Sequence, residues 1–166
     1  MIEIKKGDIT KEKVDAIVNA ANSTLTAGGG VDDAIHEAAG PELQKVCSTL
    51  GGCETGKTKI TKGFNLPAKY VIHTVGPIWM EGKFDENEYL RDCYANALML
   101  ADEKGLKSIA FPAISTGAYG YPQEAAAKIA INTVQEYLKK SKTNIEKVIF
   151  VLFKDEDYNI YSKILG

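Results

Sequence analysis

Several kinds of residue and segment are scarce in this chain, and each scarcity excludes a class of protein. Only two histidines and three cysteines occur among 166 residues, and the cysteines lack the spacing of a metal site. The sequence therefore predicts no metal site, and no pattern in it points to a cofactor. No apolar run approaches the roughly 20 residues that span a membrane. The formal net charge of −2 leaves no basic excess, which argues against general nucleic-acid binding.

The remaining composition is that of an ordinary globular protein. Hydrophobic residues make up 45% and charged residues 25% of the chain, and its length suits one domain over residues 1–166. The first residues, Met1–Asp8, have the pattern of a strand and lack that of a signal peptide. The odd number of cysteines (Cys47, Cys53 and Cys93) is best explained by buried or inert thiols in a reducing compartment. We therefore expect a cytoplasmic protein without a membrane partner.

Strands and helices are predicted to alternate along the chain. The apolar runs predict strands over Ile2–Lys5, Ala16–Asn19, Thr58–Thr61, Tyr70–Val75, Ser108–Pro112 and Lys147–Phe153. Three- and four-residue periodicity predicts helices over Val31–Ala39, Asn87–Lys104, Pro122–Lys140 and a last segment near Asp157–Leu165. Whether the first helix continues past Pro41 is open. This alternation predicts an α/β layered domain with a mostly parallel sheet, which binds ligands at the carboxyl ends of its strands.

The most informative segment joins an apolar strand to an amphipathic helix. The strand delivers Asn19 and Asn22, short bifunctional side chains that suit ribose hydroxyls. The glycine triplet Gly28–Gly30 lets the backbone approach a bulky anion, and the helix behind it offers free N–H groups to a phosphate. The segment predicts a site for a phosphorylated sugar, with Asp32 close to whatever the sugar carries.

A second glycine-containing loop runs from the strand at Phe111 into the helix at Pro122. Ser115 and Thr116 offer hydroxyls, and successive N–H groups in such a turn can form an anion-binding concavity. Taken alone, the loop suits a tight turn with a packing tyrosine, Tyr119, as well as it suits a binding site. Beside the Gly28–Gly30 loop, it is better explained as the other half of a diphosphate grip.

A third segment matches the nucleoside triphosphatase phosphate loop, but its context rejects that function. Gly51–Thr58 has the full G-x-x-x-x-G-K-[ST] pattern. A true phosphate loop follows a buried strand and opens a helix. This segment follows a predicted helical stretch, Glu42–Leu50, and leads into an alternating, strand-like one. We therefore expect Lys57 and Thr58 to lie on a solvent-facing strand.

An ordered set of motifs over nearly the whole chain resembles the macrodomain family. The motifs are Gly7-Asp8-Ile9-Thr10, Asn19-Ala20-Ala21-Asn22, Gly28-Gly29-Gly30-Val31-Asp32, Ile35-His36, Ala38-Ala39-Gly40, Pro67–Pro77, Ser115–Pro122 and Phe150–Asp155. The resemblance implies a three-layer α/β/α sandwich that binds ADP-ribose.

The resemblance also implies roles for single residues at the two ends of the ligand. Asp8 is expected to accept a hydrogen bond from the adenine amino group, with the Ile9 backbone nearby. Phe153 is expected against the adenine face, and Asn22 on the distal ribose. Without the resemblance, Asp8 reads as a cap and Phe153 as core packing.

Between these ends, the resemblance assigns the diphosphate to the two loops. Tyr119 would in addition close over the distal ribose. The residues expected to enclose the diphosphate are Gly28, Gly29, Gly30, Val31, Ser115, Thr116, Gly117, Ala118 and Tyr119.

Within the family, the chain resembles the MacroD-type branch. That branch removes ADP-ribose from acidic side chains and deacetylates O-acetyl-ADP-ribose, and it has the equivalents of Asn22 and Asp32. Ala27 and Asp33 depart from the branch, which often has glycine at both places. The resemblance implies a hydrolase acting on mono-ADP-ribosylated proteins and ADP-ribose esters. Open alternatives are a non-catalytic ADP-ribose reader, an ADP-ribose 1″-phosphate phosphatase and, against the acidic composition, an RNA- or poly(ADP-ribose)-binding module.

As a mechanism we expect direct attack by water, because the sequence contains no obvious serine or cysteine nucleophile with a base. Asn22 would fix the ribose, and Asp32 would orient or partly deprotonate the water. His36, one helical turn after Asp32, is expected to pack or orient rather than catalyse. His73, within an apolar strand, is expected to be structural. Cys47 has no histidine near it in sequence, although folding could supply one.

Overall fold

The computed structural model describes residues 1–140 and 142–166, and within them strands alternate with helices. The strands are β1 (Ile2–Lys6), β2 (Ala16–Ala21), β3 (Thr58–Lys62), β4 (Tyr70–Val75), β5 (Ser108–Phe111) and β6 (Lys147–Leu152). The α-helices are α1 (Val31–Ala39), α2 (Pro41–Cys47), α3 (Glu86–Glu103), α4 (Gln123–Leu138) and α5 (Asp155–Leu165), and a 3-10 turn covers Ile9–Lys11. No helix in this part of the chain is both long and apolar enough to cross a membrane.

The strands form one mixed sheet in the order β1-β6-β5-β2-β4-β3. All neighbours are parallel except β3, which runs antiparallel to β4. The first strand lies at one edge and pairs with β6, with Ile2 opposite Val148. The predicted mixed, mostly parallel sheet is confirmed, and its parallel strands bring the carboxyl ends of β1, β6, β5, β2 and β4 to one edge.

Helices cover both faces of the sheet, and each face has its own apolar cluster. On one face, α3, α4 and α5 pack over a core with the aromatic side chains Tyr94, Phe111, Phe150 and Tyr161. On the other, α1 and α2 pack over mostly aliphatic side chains such as Ile17. The three-layer α/β/α sandwich predicted from the resemblance is confirmed.

The helix after the glycine triplet does not continue past Pro41. It ends at Ala39, because Gly40 has φ +90°, and a second helix starts at Pro41. A side chain at residue 40 would also crowd Asn65, whose Nδ2 lies 2.8 Å from the position a Cβ would take. The helix therefore stops before Pro41, and α2 is a separate helix.

Three other helix starts differ by one or two residues from prediction, and the first of them is α3, which begins at Glu86 rather than at Asn87. The helix predicted from Pro122 begins at Gln123, with Pro122 as its N-cap. The last helix begins at Asp155 rather than near Asp157. Its first turn holds Asp155, Glu156 and Asp157, and acidic side chains are favoured at that end of a helix dipole.

The segment that matches a phosphate loop has the wrong surroundings for one. It follows α2 and leads into β3, so no helix opens at Lys57 and Thr58. Lys57 is exposed just before β3, and its carbonyl accepts a hydrogen bond from Thr74 Oγ1. The segment is a connection between the α2 layer and the antiparallel edge of the sheet.

Candidate active site

A cleft of about 700 Å³ opens at the carboxyl ends of the parallel strands. Gly7, Ala21, Pro112 and Leu152 line it at the ends of β1, β2, β5 and β6. The structure brings every residue predicted for the site to this one cleft: Asp8, Ile9, Asn22, Gly28, Gly29, Gly30, Val31, Asp32, Ser115, Thr116, Gly117, Ala118, Tyr119 and Phe153.

Asp8, at one end of the cleft, caps the 3-10 turn and still faces the opening. Its Oδ1 accepts hydrogen bonds from Thr10 N at 2.9 Å and Thr10 Oγ1 at 2.7 Å. These bonds, led by that from the Thr10 side chain, hold the pKa of the Asp8 carboxyl below its usual value. Asp8 is thus compatible with both interpretations, a helix cap and a ligand contact, since its Oδ1 caps the 3-10 turn and the residue also lines the cleft.

Phe153 is beside the same end and is not part of the core. It follows the last residue of β6, and 78% of its surface is exposed, whereas Val151 and Leu152 before it are buried. Reading Phe153 as core packing is therefore wrong. An aromatic ring this exposed at the rim of a cleft can cover the flat face of a ligand.

The first glycine loop is held from behind by side chains. Ala27 N donates to Gln44 Oε1 at 2.7 Å, and Gln44 Nε2 donates to Leu25 O at 3.2 Å. Gly28 N donates to Asp32 Oδ2 at 2.9 Å. These contacts fix the loop before any ligand arrives. Prediction missed Gln44 because it lies on α2, beyond the helix that directly follows the loop.

The space for a side chain at residue 28 is tight because two neighbouring side chains lie close to it. A Cβ there would lie 3.2 Å from both Asn22 Nδ2 and Asp32 Oδ2. Gly30 has φ +63° and provides no side-chain cap to α1. The first N–H groups of α1 therefore lack an intrahelical partner, and the first residues of the helix, Val31 and Asp32, line the cleft, an arrangement that suits anions.

Asn22 is held by its own loop. Its Oδ1 accepts from Thr26 N at 3.1 Å and from Thr24 Oγ1 at 3.0 Å, and its Nδ2 donates to Thr26 O at 2.7 Å. These bonds use one of the two amide hydrogens. The other stays available at the cleft, beside the Gly28 backbone.

Asp32 accepts two hydrogen bonds, has His36 close by and is only 4% exposed. Oδ1 accepts from Asn19 Nδ2 at 2.9 Å and lies 3.3 Å from His36 Nε2. Oδ2 accepts from Gly28 N, and Asp32 is one of the residues that line the cleft. This arrangement holds the carboxylate as an acceptor in one orientation, and it gives His36 the orienting position expected for it. Asp33, the next residue, is exposed, which favours its solvent-facing interpretation.

The second loop is held by backbone contacts. Gly120 N donates to Gly117 O and Tyr121 N donates to Ser115 O. Ser115 has φ +68°, which is strained for a residue with a Cβ, and such strain is concentrated at ligand clamps. Its buried hydroxyl has no hydrogen-bond partner within residues 1–140 and 142–166.

Tyr119, in this loop, is half-buried and connected to a neighbouring segment. Its carbonyl accepts from Trp79 N at 2.8 Å, and Trp79 packs on Tyr121 with ring centroids 4.7 Å apart. The position of Tyr119 at the cleft is therefore tied to the chain that follows β4.

Folding does bring a histidine to Cys47, but the pair is not a nucleophile and base. Cys47 Sγ lies 3.8 Å from His73 Nε2, and both residues are buried. Burial raises the pKa of the Cys47 thiol to about 11, so the thiol stays protonated at neutral pH. Across the described ranges 1–140 and 142–166, no group of three or more His, Cys, Asp or Glu side chains is arranged to hold a metal.

Comparison with known families agrees with this architecture. A family model described as Macro domain matches residues 18–130, which include both loops. The chain belongs to the Macro domain family. This macrodomain keeps the cleft of that fold at the strand ends where the sequence pattern predicts it.

Relatives and solved structures match over almost the whole chain. It is 55% identical over 167 residues to the ADP-ribose glycohydrolase MACROD2 of Xenopus laevis, covering 99% of this chain but 40% of that longer protein. It is 51% identical over 168 residues to the O-acetyl-ADP-ribose deacetylase of Escherichia fergusonii, covering 99% of this chain and 94% of that protein. The Oceanobacillus iheyensis macrodomain with ADP superposes with a TM-score of 0.95 at 49% identity, covering 99% and 89% of the two chains.

Proposed function

We propose that this macrodomain binds ADP-ribose and hydrolyses its esters, on mono-ADP-ribosylated Asp or Glu side chains of proteins and in O-acetyl-ADP-ribose. The observation that carries the proposal is the buried Asp32 carboxylate, which accepts hydrogen bonds from Asn19 Nδ2 and Gly28 N beside Asn22. A binding module has no need of a carboxylate close to an anionic ligand, because the charges repel. The names of the glycohydrolase and deacetylase relatives support the same reaction class.

In the proposed complex the nucleotide binds along the strand ends. The Asp8 carboxylate accepts from the adenine amino group, and Phe153 covers the adenine face. N–H groups of the two glycine loops and of the first turn of α1 hold the diphosphate. Asn22 binds the distal ribose with its remaining amide hydrogen, and Tyr119 closes over the sugar.

Water is the attacking group in this proposal. A free lone pair of Asp32 Oδ2 accepts a hydrogen bond from a water, orients it toward the ester and partly deprotonates it as it attacks. The products are ADP-ribose with a free hydroxyl and a carboxylic acid. Two observations support water over a protein nucleophile: the Cys47 thiol is buried and protonated, and the Ser115 hydroxyl has no base bonded to it in the described residues.

The first test is release of free ADP-ribose from a protein mono-ADP-ribosylated on glutamate, with the chain at catalytic concentration. Multiple turnovers are expected. Binding of ADP-ribose without any release of it, from this protein or from O-acetyl-ADP-ribose, would make the chain a reader. Release of phosphate from ADP-ribose 1″-phosphate, without cleavage of either ester, would make it a phosphatase.

Two adjacent acids provide a matched pair of variants. Asp32→Ala should lower kcat by about 10²–10⁴-fold, the usual contribution of a positioned acid–base group. Its affinity for ADP-ribose should be largely kept, because Ala27 and Gln44 still hold the loop. Asp33→Ala, which removes an exposed carboxylate one residue later, should leave turnover near that of the unchanged chain. Hydrolysis by Asp32→Ala at the original rate would contradict the role given to Asp32.

The same chemistry leads us to propose partners and a cellular location for this protein. We expect modified proteins and ADP-ribose esters as partners, and no nucleic acid or membrane. Affinity for RNA that falls steeply with salt would contradict the first exclusion. Three buried free cysteines, Cys47, Cys53 and Cys93, support work in a reducing compartment, which we take to be the cytoplasm. Fractionation of cells from the source organism would test this location.

A further inference from the structure

A buried polar group lies directly behind Asp32, on the face of the sheet covered by α1 and α2. Asn19 on β2 and His73 on β4 are opposite each other in the strand register, and both are fully buried. Thr61 on β3 is buried beside them. The proposed reaction uses none of these three side chains directly. Burying polar groups lowers the stability of the fold unless hydrogen bonds compensate for it, so their presence here calls for an explanation.

The hydrogen bonds determine which atoms of this group carry hydrogens. Thr61 Oγ1 donates to Lys62 O at 3.1 Å, so it accepts at its 3.0 Å contact with His73 Nε2. His73 Nε2 therefore carries the proton, and Nδ1 has a lone pair. That lone pair accepts from Asn19 Nδ2 at 3.2 Å. The other hydrogen of Asn19 Nδ2 goes to Asp32 Oδ1 at 2.9 Å.

The orientation of the Asn19 amide depends on His73. If the amide were turned over, its oxygen would face Asp32 Oδ1 and His73 Nδ1, which are both acceptors. The Asn19 oxygen has no partner in the described residues, so the amide is held only by the two contacts of Nδ2, to Asp32 Oδ1 and to His73 Nδ1. Burial lowers the pKa of His73 to about 4, which keeps the imidazole neutral and its Nδ1 lone pair available.

We infer that Asn19 and His73 are positioning residues for the hydrolysis. The neutral His73 fixes the Asn19 amide, the amide fixes Asp32 Oδ1, and Asp32 Oδ2 is thereby presented to the attacking water. This inference rests on the proposed function, because Asp32 must act on water for its orientation to matter.

Two substitutions of His73 separate its two nitrogens. The side-chain oxygen of His73→Asn lies near the place of Nδ1 and can accept from Asn19. The longer side chain of His73→Gln reaches the place of Nε2 and keeps the contact to Thr61, but it has carbon where Nδ1 was. The pair thus keeps or removes the acceptor that faces Asn19, while both variants stay polar and smaller than histidine.

The measurements are kcat and KM on the glutamate-modified protein, with the ADP-ribose dissociation constant from calorimetry. His73→Gln should lose kcat on the order of 10²-fold, as for a misplaced catalytic group, with KM and affinity for ADP-ribose unchanged. His73→Asn should keep most of kcat. Equal loss of kcat in both variants, or full activity of His73→Gln, would overturn the inference.

A second measurement needs no variant and no turnover. Two-bond proton–nitrogen NMR of the imidazoles in the unchanged chain at neutral pH should show His73 with Nε2 protonated and Nδ1 bare. A proton on Nδ1 would overturn the inference even if His73→Gln failed to fold. Absence of turnover in the unchanged chain would instead contradict the proposed function, whatever the tautomer of His73.

Discussion

The two faces of the sheet are built from different side chains for different purposes. Under α3, α4 and α5 the core is aromatic, with Phe111 5.0 Å from Tyr94 and 5.9 Å from Phe150 between ring centroids. Under α1 and α2, the apolar cluster of the described residues contains no Phe, Tyr or Trp, and aliphatic side chains surround the polar group of Asn19, His73 and Asp32. The aromatic face contributes apolar packing to stability, while the other face also buries polar groups that hold a carboxylate in place.

The largest effect on folding is expected on the aromatic face. Phe111→Ala should lower the free energy of unfolding by about 3–5 kcal/mol, through lost burial and the cavity left behind. Phe111→Leu keeps most of the volume and should cost less than about 1.5 kcal/mol. Urea titration measures both. A loss of kcat per folded molecule that corresponds to more free energy than the loss of stability would contradict this division of roles between the two faces.

The polar face should make stability depend on pH. The pKa of His73 is about 4 in the folded chain against 6.5 when exposed, so the unfolded chain binds the extra proton first. The stability associated with neutral His73 is complete above pH 6.5 and is lost as pH falls, by about 2 kcal/mol at pH 5 and about 3 kcal/mol at pH 4.

Urea titrations at these pH values, made in parallel on His73→Asn, isolate that contribution. Asp32, His36 and Cys47 lie beside this polar group in both proteins, so the two titrations compare chains that differ at residue 73 alone. The variant should lack the part of the slope between pH 6.5 and pH 4 that His73 contributes, and keep the part that comes from carboxylates such as Asp8. The same slope in both proteins would mean that His73 is not buried neutral.

The smallest of these effects concerns the rim of the cleft. Asp8→Ala should weaken ADP-ribose binding by about 1.5–3 kcal/mol, the range for hydrogen bonds with a charged partner. Asp8→Asn can still cap the 3-10 turn but presents an amide to the adenine amino group, so a similar loss is expected. Calorimetry checks both variants. Affinity restored by Asp8→Asn would show that Asp8 acts through the turn alone.

Sequence reasoning reached the parts of this molecule that local patterns determine. Periodicity located the strands and helices to within a few residues, and the glycine triplet and Asp32 are neighbours in the chain. The contact between Asn19 and His73 was out of reach, because 54 residues separate them and only the register of β2 on β4 brings them together. The alternation along β2 was the available signal, since it directs Asn19 toward the same face as Ile17.

The exposure of Phe153 shows a similar limit. An apolar run predicts a strand but not the residue at which burial stops, and here burial stops at Leu152. The break at Gly40 also depends on a distant residue, because Asn65 fills the space where a Cβ would be.

The edge position of β1 has a consequence for the order in which the protein is completed during synthesis. A ribosome makes β1 before the other five strands of the sheet, and its sheet partner β6 after them. Gly7 and Asp8 reach the cleft only when β1 docks on that late strand. The end of the cleft at Asp8 is therefore finished only after the chain that carries Asn22 and Asp32 is already made.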